Sequence, residues 1–131
     1  MKALDTPALL ALLEGNPRIV TQLRKWREAE IATTEANLLE LAVLAEGGPA
    51  RVRGERFHAL VRLRRRLTVL PIDDRATEEA ARRAARLPRT MSPLVLGMLG
   101  ALESSGCDEL LTDDPAQFQG RWRFRVTKLG K

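Results

Sequence analysis

Four acidic side chains stand where carboxylates can do chemistry together: Asp5, Glu40, Asp113 and Asp114. Asp5 closes the short apolar run Met1-Lys2-Ala3-Leu4, and Asp113-Asp114 follows Glu109-Leu110-Leu111-Thr112. Both runs read as strands, so these acids fall at strand ends. Glu40 lies among Leu38, Leu39, Leu41 and Ala42 in a helical pattern, at the margin of its apolar face. In a doubly wound sheet, ligands sit outside the carboxyl ends of the parallel strands. Carboxylates gathered there repel one another. A hard divalent cation such as Mg²⁺ or Mn²⁺ prefers oxygen ligands and relieves that repulsion. Each acid also has an ordinary structural reading. Asp5 can cap the following helix, Glu40 can pair with an arginine, and Asp113 or Asp114 can serve as a turn residue before Pro115. The joint placement is what points to a cation.

The elements that must position these acids alternate between strand and helix, which argues for an α/β fold with parallel strands. A strand over residues 1–5 leads to a helix start at Thr6-Pro7, with an oxygen-bearing cap and a proline in the first turn. Gly15-Asn16-Pro17 ends that helix. A second helix is expected over Arg18 to Glu28, with Ile19, Leu23 and Trp26 at helical spacing. A strand over Glu30 to Thr33 precedes a helix capped by Thr34 and stopped by Gly47-Gly48-Pro49. The spacing of Phe57, Leu60, Val61 and Leu67 predicts a helix over Gly54 to Arg66. Further on come a strand over Thr68 to Ile72 and a helix from Asp73 or Asp74 to about Leu87. Ser92-Pro93 starts a helix ending near Gly106, Asp108 to Thr112 is a buried-looking strand, and Trp122 to Val126 alternates like an edge strand.

The chain has 131 residues, 44% of them hydrophobic, which suits a single domain spanning residues 1–131 with a real core. No stretch reaches the ~18 to 20 apolar residues of a membrane span, and the N-terminus lacks the pattern of a signal peptide. The single cysteine, Cys107, allows no internal disulfide and fits a cytoplasmic setting. The net charge of +5 is carried mostly by arginine, whose planar fork suits phosphate. Arg62, Arg65 and Arg66, or Arg121, Arg123 and Arg125 alternating on the last strand, are candidates to hold a nucleic-acid backbone; the plain alternative is a solvated face. Glu78–Arg82 and Glu79–Arg83 are spaced as ordinary helix pairs. His58 has no second histidine or cysteine at metal-ligand spacing and reads as structural or surface. Cys107 reads as a small buried residue. No P-loop glycine pattern is present, which disfavours nucleotide hydrolysis.

With these residues in view, the chain resembles PIN domains, especially the VapC-type toxins. Leu4-Asp5-Thr6 with the apolar run Ala8 to Leu13 resembles the family's opening. Leu39-Glu40-Leu41 resembles the helix that carries its second acid. Leu67 to Asp73 resembles its middle strand, and Thr112-Asp113-Asp114 with Phe118 resembles its late Thr-x-Asp motif. The resemblance runs over essentially the whole chain and implies a three-layer sandwich, a mostly parallel central sheet flanked by helices. It further implies a ribonuclease that uses Mg²⁺ or Mn²⁺ held by Asp5, Glu40 and Asp114. Asp113 is then an auxiliary ligand, and Thr6 and Thr112 are hydroxyls beside the site. Also implied are an antitoxin protein lying across the apolar early helices, including the Trp26 region, and a homodimer. Two departures stand out. Pro7 replaces the usual small polar residue. The aspartate expected at the start of the helix before the late strand is missing; Ser92-Pro93 stands near its place, and no acid lies between Glu79 and Glu103.

The expected chemistry is metal-assisted hydrolysis of RNA phosphodiesters. Asp113, or a water held by Ser92, is the candidate compensation for the missing carboxylate. The rival reading is a PIN-like domain that no longer cuts and binds RNA or a protein partner; weaker still is an unrelated α/β module whose acids are only caps.

Overall fold

The computed structural model describes residues 1–87, 91–118 and 121–129. Its elements in chain order are β1 (Lys2–Leu4), α1 (Thr6–Leu13), α2 (Pro17–Lys25), β2 (Ile31–Thr34), α3 (Glu35–Glu46), α4 (Ala50–Arg66), β3 (Thr68–Leu70), α5 (Asp74–Ala84), α6 (Pro93–Ser105), β4 (Glu109–Thr112) and β5 (Arg125–Lys128), with a short 3₁₀ turn at Pro115–Gln117. The five strands form one parallel sheet in the order β3-β2-β1-β4-β5. This is the expected α/β sandwich, with every described strand pair parallel.

Alternation along the central strands divides the core in two. Ala3 and Leu110 face the layer with α5 and α6, where Leu99, Ala101 and Leu102 are buried. Leu4 and Leu111 face the layer with α1, α2 and α4, among Leu9, Ile19, Leu60 and Leu63. Trp26 belongs to this second core and is 8% exposed, so it presents no broad surface to a partner. Glycine lets α5 and α6 approach closely: a Cβ on Gly100 would overlap the carbonyl oxygen of Ala76. Gly106 ends α6 in the left-handed conformation, φ 77°, which costs a glycine little. No helix among the described residues is long and apolar enough to cross a membrane.

Several boundaries depart from the sequence expectation for identifiable reasons. The cap of α1 is Asp5 rather than Thr6; Asp5 is extended, and its Oδ1 accepts from the amide of Ala8. Strand β3 stops at Leu70, because Pro71 has no N–H to continue a ladder. Thr34 both ends β2 and caps α3. Helix α4 begins at Ala50, with Gly54 inside it, and α2 ends at Lys25. Arg82 pairs with Glu79 at 2.9 Å rather than with Glu78, so Glu79 serves both Arg82 and Arg83.

The last strand is the largest correction. It runs from Arg125 to Lys128, so Arg121, Arg123 and Arg125 do not alternate on one strand face. Buried Glu103 accepts from the backbone N–H of Arg123 at 2.9 Å and pairs with the guanidinium of Arg83, also at 2.9 Å. Arg83 in turn donates to the carbonyl of Arg121. Those contacts hold residues 121–123 away from the ladder, which opens only at Arg125.

Candidate active site

The strand order reverses between β1 and β4, and a doubly wound sheet opens a crevice at such a switch. Leu4 lies opposite Leu111, which sets Asp5 beside Thr112 at the carboxyl ends of the two strands. The amide of Asp5 donates to the carbonyl of Leu111 at 3.4 Å, and the Thr33 hydroxyl of β2 donates to the carbonyl of Leu4 at 2.8 Å. Three strand ends therefore fix the backbone around Asp5.

Asp5 is 2% exposed. Its Oδ1 accepts from Ala8 N at 3.0 Å, while Oδ2 is buried without a hydrogen-bond partner. Burial pushes its carboxyl pKa up to about 6; the nearby Thr112 hydroxyl and the Ala8 amide oppose the rise, and the charges of Asp113 and Glu40 add to it. Thus Asp113 and Glu40 lie within electrostatic reach of Asp5. Asp113, Asp114 and Glu40 are themselves exposed. The amide of Asp114 donates to Thr112 Oγ1 at 3.2 Å, which ties the turn after β4 to the strand end.

Glu40 projects from the second turn of α3, and its Oε1 accepts from the Thr6 hydroxyl at 2.9 Å. Among the described residues no arginine pairs with Glu40, the alternative reading of this acid; a hydroxyl of α1 is its hydrogen-bond partner. Behind Thr6 stands buried Asn37, whose Nδ2 donates to Thr6 Oγ1 at 3.1 Å. Sequence reading passed over Asn37. Its signal was there: a lone amide in an apolar run, three residues before Glu40 and so on the same helix face.

Ser92 is not joined to this group. It is exposed, and its hydroxyl caps α6 by accepting from Val95 N at 3.2 Å. The residue of α6 that reaches the network is Met98, whose sulfur accepts from Asn37 Nδ2 at 3.1 Å. Leu94 and Val95 precede Met98 at helical spacing, so this face of α6 is apolar where an acid was expected. The one acid of α6, Glu103, is committed to Arg83 and Arg123. Arg62, Arg65 and Arg66 lie exposed on α4, without a hydrogen bond or ion pair to the four acids. Arg125 pairs with Glu109, at the opposite end of β4. His58 is exposed; Cys107 is buried, and burial pushes its thiol up to about 11.

Among the described residues no three His, Cys, Asp or Glu side chains stand close enough together to hold an ion as a ready-made group. What fits a cation is the donor chemistry around Asp5. A buried carboxylate oxygen lacks a partner, and two further carboxylates act on it electrostatically.

Elsewhere, α1, α3 and α4 leave a cleft of about 390 Å³ lined by Leu10, Leu13, Leu41, Leu44, Ala59 and Leu60, with Glu14, Glu55 and Arg56 also bordering it. Val43 and Leu44 are 64% and 55% exposed on α3. Phe57 and Val61, on the apolar stripe of α4, line a smaller groove between α3 and α4.

Several solved structures share this fold. The chain superimposes on VapBC2 from Rickettsia felis, bound to a promoter DNA fragment, with a TM-score of 0.84 and 13% identity over 97% of each chain. DNA-bound VapBC from Salmonella typhimurium gives 0.81 and 20% identity, covering 97% of this chain and 96% of that one. Mycobacterium tuberculosis VapC20, a sarcin–ricin loop cleaving toxin, gives 0.64 and 21% identity over 89% and 92%. At such identities the likeness concerns the fold. No curated protein matches the chain. The PIN domain family profile matches residues 2–102, from β1 into α6, taking in Asp5 and Glu40 and stopping before Asp113-Asp114. The chain belongs to the PIN domain family.

Proposed function

We propose that this PIN domain is a Mg²⁺- or Mn²⁺-dependent endoribonuclease of the toxin–antitoxin type, hydrolysing phosphodiester bonds of RNA. One observation carries the reading: Asp5 is buried at the switch point of the sheet, and its Oδ2 meets no hydrogen-bond geometry although the Thr112 hydroxyl stands close enough to oppose the rise of its pKa. Asp5, Glu40 and Asp114 are the residues that would hold the ion, with Asp113 as an additional ligand. When bound, a divalent cation supplies an acidified water and offsets charge on the attacked phosphate. Thr6 orients Glu40, and Thr112 holds the turn that carries Asp113 and Asp114. Exposed arginines such as Arg62, Arg65 and Arg66 would steady the RNA backbone away from the reacting phosphate.

The apolar cleft between α1, α3 and α4 supports an antitoxin partner, in keeping with the VapBC complexes that share the fold. Self-association into a homodimer belongs to the same reading. A second reading, a PIN domain that binds RNA or a protein without cutting, is favoured by the apolar face of α6 at Leu94, Val95 and Met98. RNA cleavage that requires both Mn²⁺ and Asp5 tests the first reading against the second.

A further inference from the structure

We propose that Asn37 is a positioning residue that directs the Thr6 proton onto Glu40. The proposal rests on reading the acids as a cation site. Asn37 is 2% exposed, and its side-chain amide has partners at both ends. Its Oδ1 accepts from the Thr34 hydroxyl at 2.7 Å; its Nδ2 donates to Thr6 Oγ1 and to Met98 Sδ, each at 3.1 Å.

The sulfur decides which way round the amide sits. A thioether has no proton to give, so the group facing it must be the NH₂ and not the carbonyl oxygen. With NH₂ toward Met98 and Thr6, the Thr6 oxygen accepts from Asn37. Its own proton is then free for the carboxylate, and Thr6 Oγ1 donates to Glu40 Oε1 at 2.9 Å. The reversed amide would draw the Thr6 proton to itself and leave Glu40 without a donor. The result is a one-directional relay from Thr34 through Asn37 and Thr6 to Glu40. Hydrogen bonds linked in this way polarise one another.

This relay matters because Glu40 is exposed and its side chain would otherwise sample several rotamers. Fixing Oε1 restrains the carboxylate within electrostatic reach of Asp5. Groups that orient a metal ligand typically change affinity by about 10- to 100-fold when removed. Asn37 does this work without adding charge to a site already crowded with carboxylates.

The test is calorimetric titration of Mn²⁺, without RNA, into the wild-type chain, Asn37→Leu, Thr6→Val and the double variant, each first shown to be folded by circular dichroism. Wild type is expected to bind, Asn37→Leu to bind about tenfold more weakly, and the double variant to lose no more than Thr6→Val alone. Asn37→Ser, too short to bridge to Thr6, replaces Asn37→Leu if the latter does not fold. Wild-type affinity in a folded Asn37 variant overturns the proposal, as does a double variant whose losses add independently. A wild-type chain that binds no Mn²⁺ overturns the cation site itself, and the positioning role falls with it.

Discussion

The amide of Ala8 donates to Oδ1 of Asp5 at 3.0 Å, which makes Asp5 the cap of α1 and leaves its Oδ2 buried without a partner. One side chain thus does two things, and its pKa records the second. Burial raises the carboxyl from 3.8 to about 6, so the folded state holds a proton that the unfolded state has released. Stability gained this way is fully present below the unfolded pKa and lost as pH rises through about 6. The metal-free protein is therefore expected to be more stable at pH 5 than at pH 7, by roughly 1 kcal/mol for this group alone. Asp5→Asn keeps the capping oxygen and removes the titration, so it should stabilise at pH 7 and flatten the difference. Urea unfolding of both chains at the two pH values checks this; equal pH dependence in both would contradict it.

Two glycines of α6 should respond in opposite ways. Gly100→Ala drives a methyl group into the backbone of α5 at Ala76 and should cost about 1 to 3 kcal/mol. Gly97→Ala meets only the end of the Ile72 side chain, 2.9 Å away, and Ile72 is 40% exposed and free to turn. There the better helix propensity of alanine should leave stability unchanged or raise it by up to about 1 kcal/mol. Thermal unfolding of the two variants gives the comparison.

Glu103 is 3% exposed and binds Arg83 and the backbone of Arg123. Arg83 also lies 5.7 Å from the Trp122 ring centre, and Trp122 stacks on Phe124. Removing the carboxylate takes from Arg83 and from the backbone N–H of Arg123 their shared partner and frees the segment before β5. Glu103→Ala is expected to destabilise by about 3 kcal/mol, near the lower end for a broken buried pair because the arginines reach solvent. Denaturant unfolding measures the loss, and Trp122 fluorescence should report loosening of the segment under native conditions.

Exposed apolar residues on α3 carry little stability and should carry partner binding. Leu44→Glu is expected to stay within about 0.5 kcal/mol of wild type. It should also abolish co-purification with an antitoxin encoded beside it. Unimpaired co-purification would move the partner surface away from the cleft between α1, α3 and α4.

The fold was legible because its punctuation is local. Gly15-Asn16-Pro17, Thr34 and Gly106 mark element ends by backbone chemistry that needs no tertiary context. The last strand was not, because Arg-Trp-Arg-Phe-Arg alternates like a strand while Glu103 and Arg83, distant in sequence, hold its first half outside the ladder. Asp5 and Glu40 were legible as acids at an edge and on a helix, and the structure sets them within electrostatic reach. The Thr-x-Asp resemblance put Asp114 in the cation site with Asp113 as an auxiliary; the charge of Asp113 is among those that raise the Asp5 pKa. Asn37 was visible as a lone amide in an apolar run, but its role was not, because it depends on Thr6 and Met98, 31 and 61 residues away.

The central claim is tested most directly by incubating the purified chain with single-stranded RNA and Mn²⁺ and resolving the products by length. The account predicts internal cleavage that EDTA stops and that Asp5→Asn abolishes while leaving the protein folded. Cleavage that survives both EDTA and Asp5→Asn would contradict it, and RNA bound but left whole with Mg²⁺ or Mn²⁺ would establish the non-cutting reading in its place.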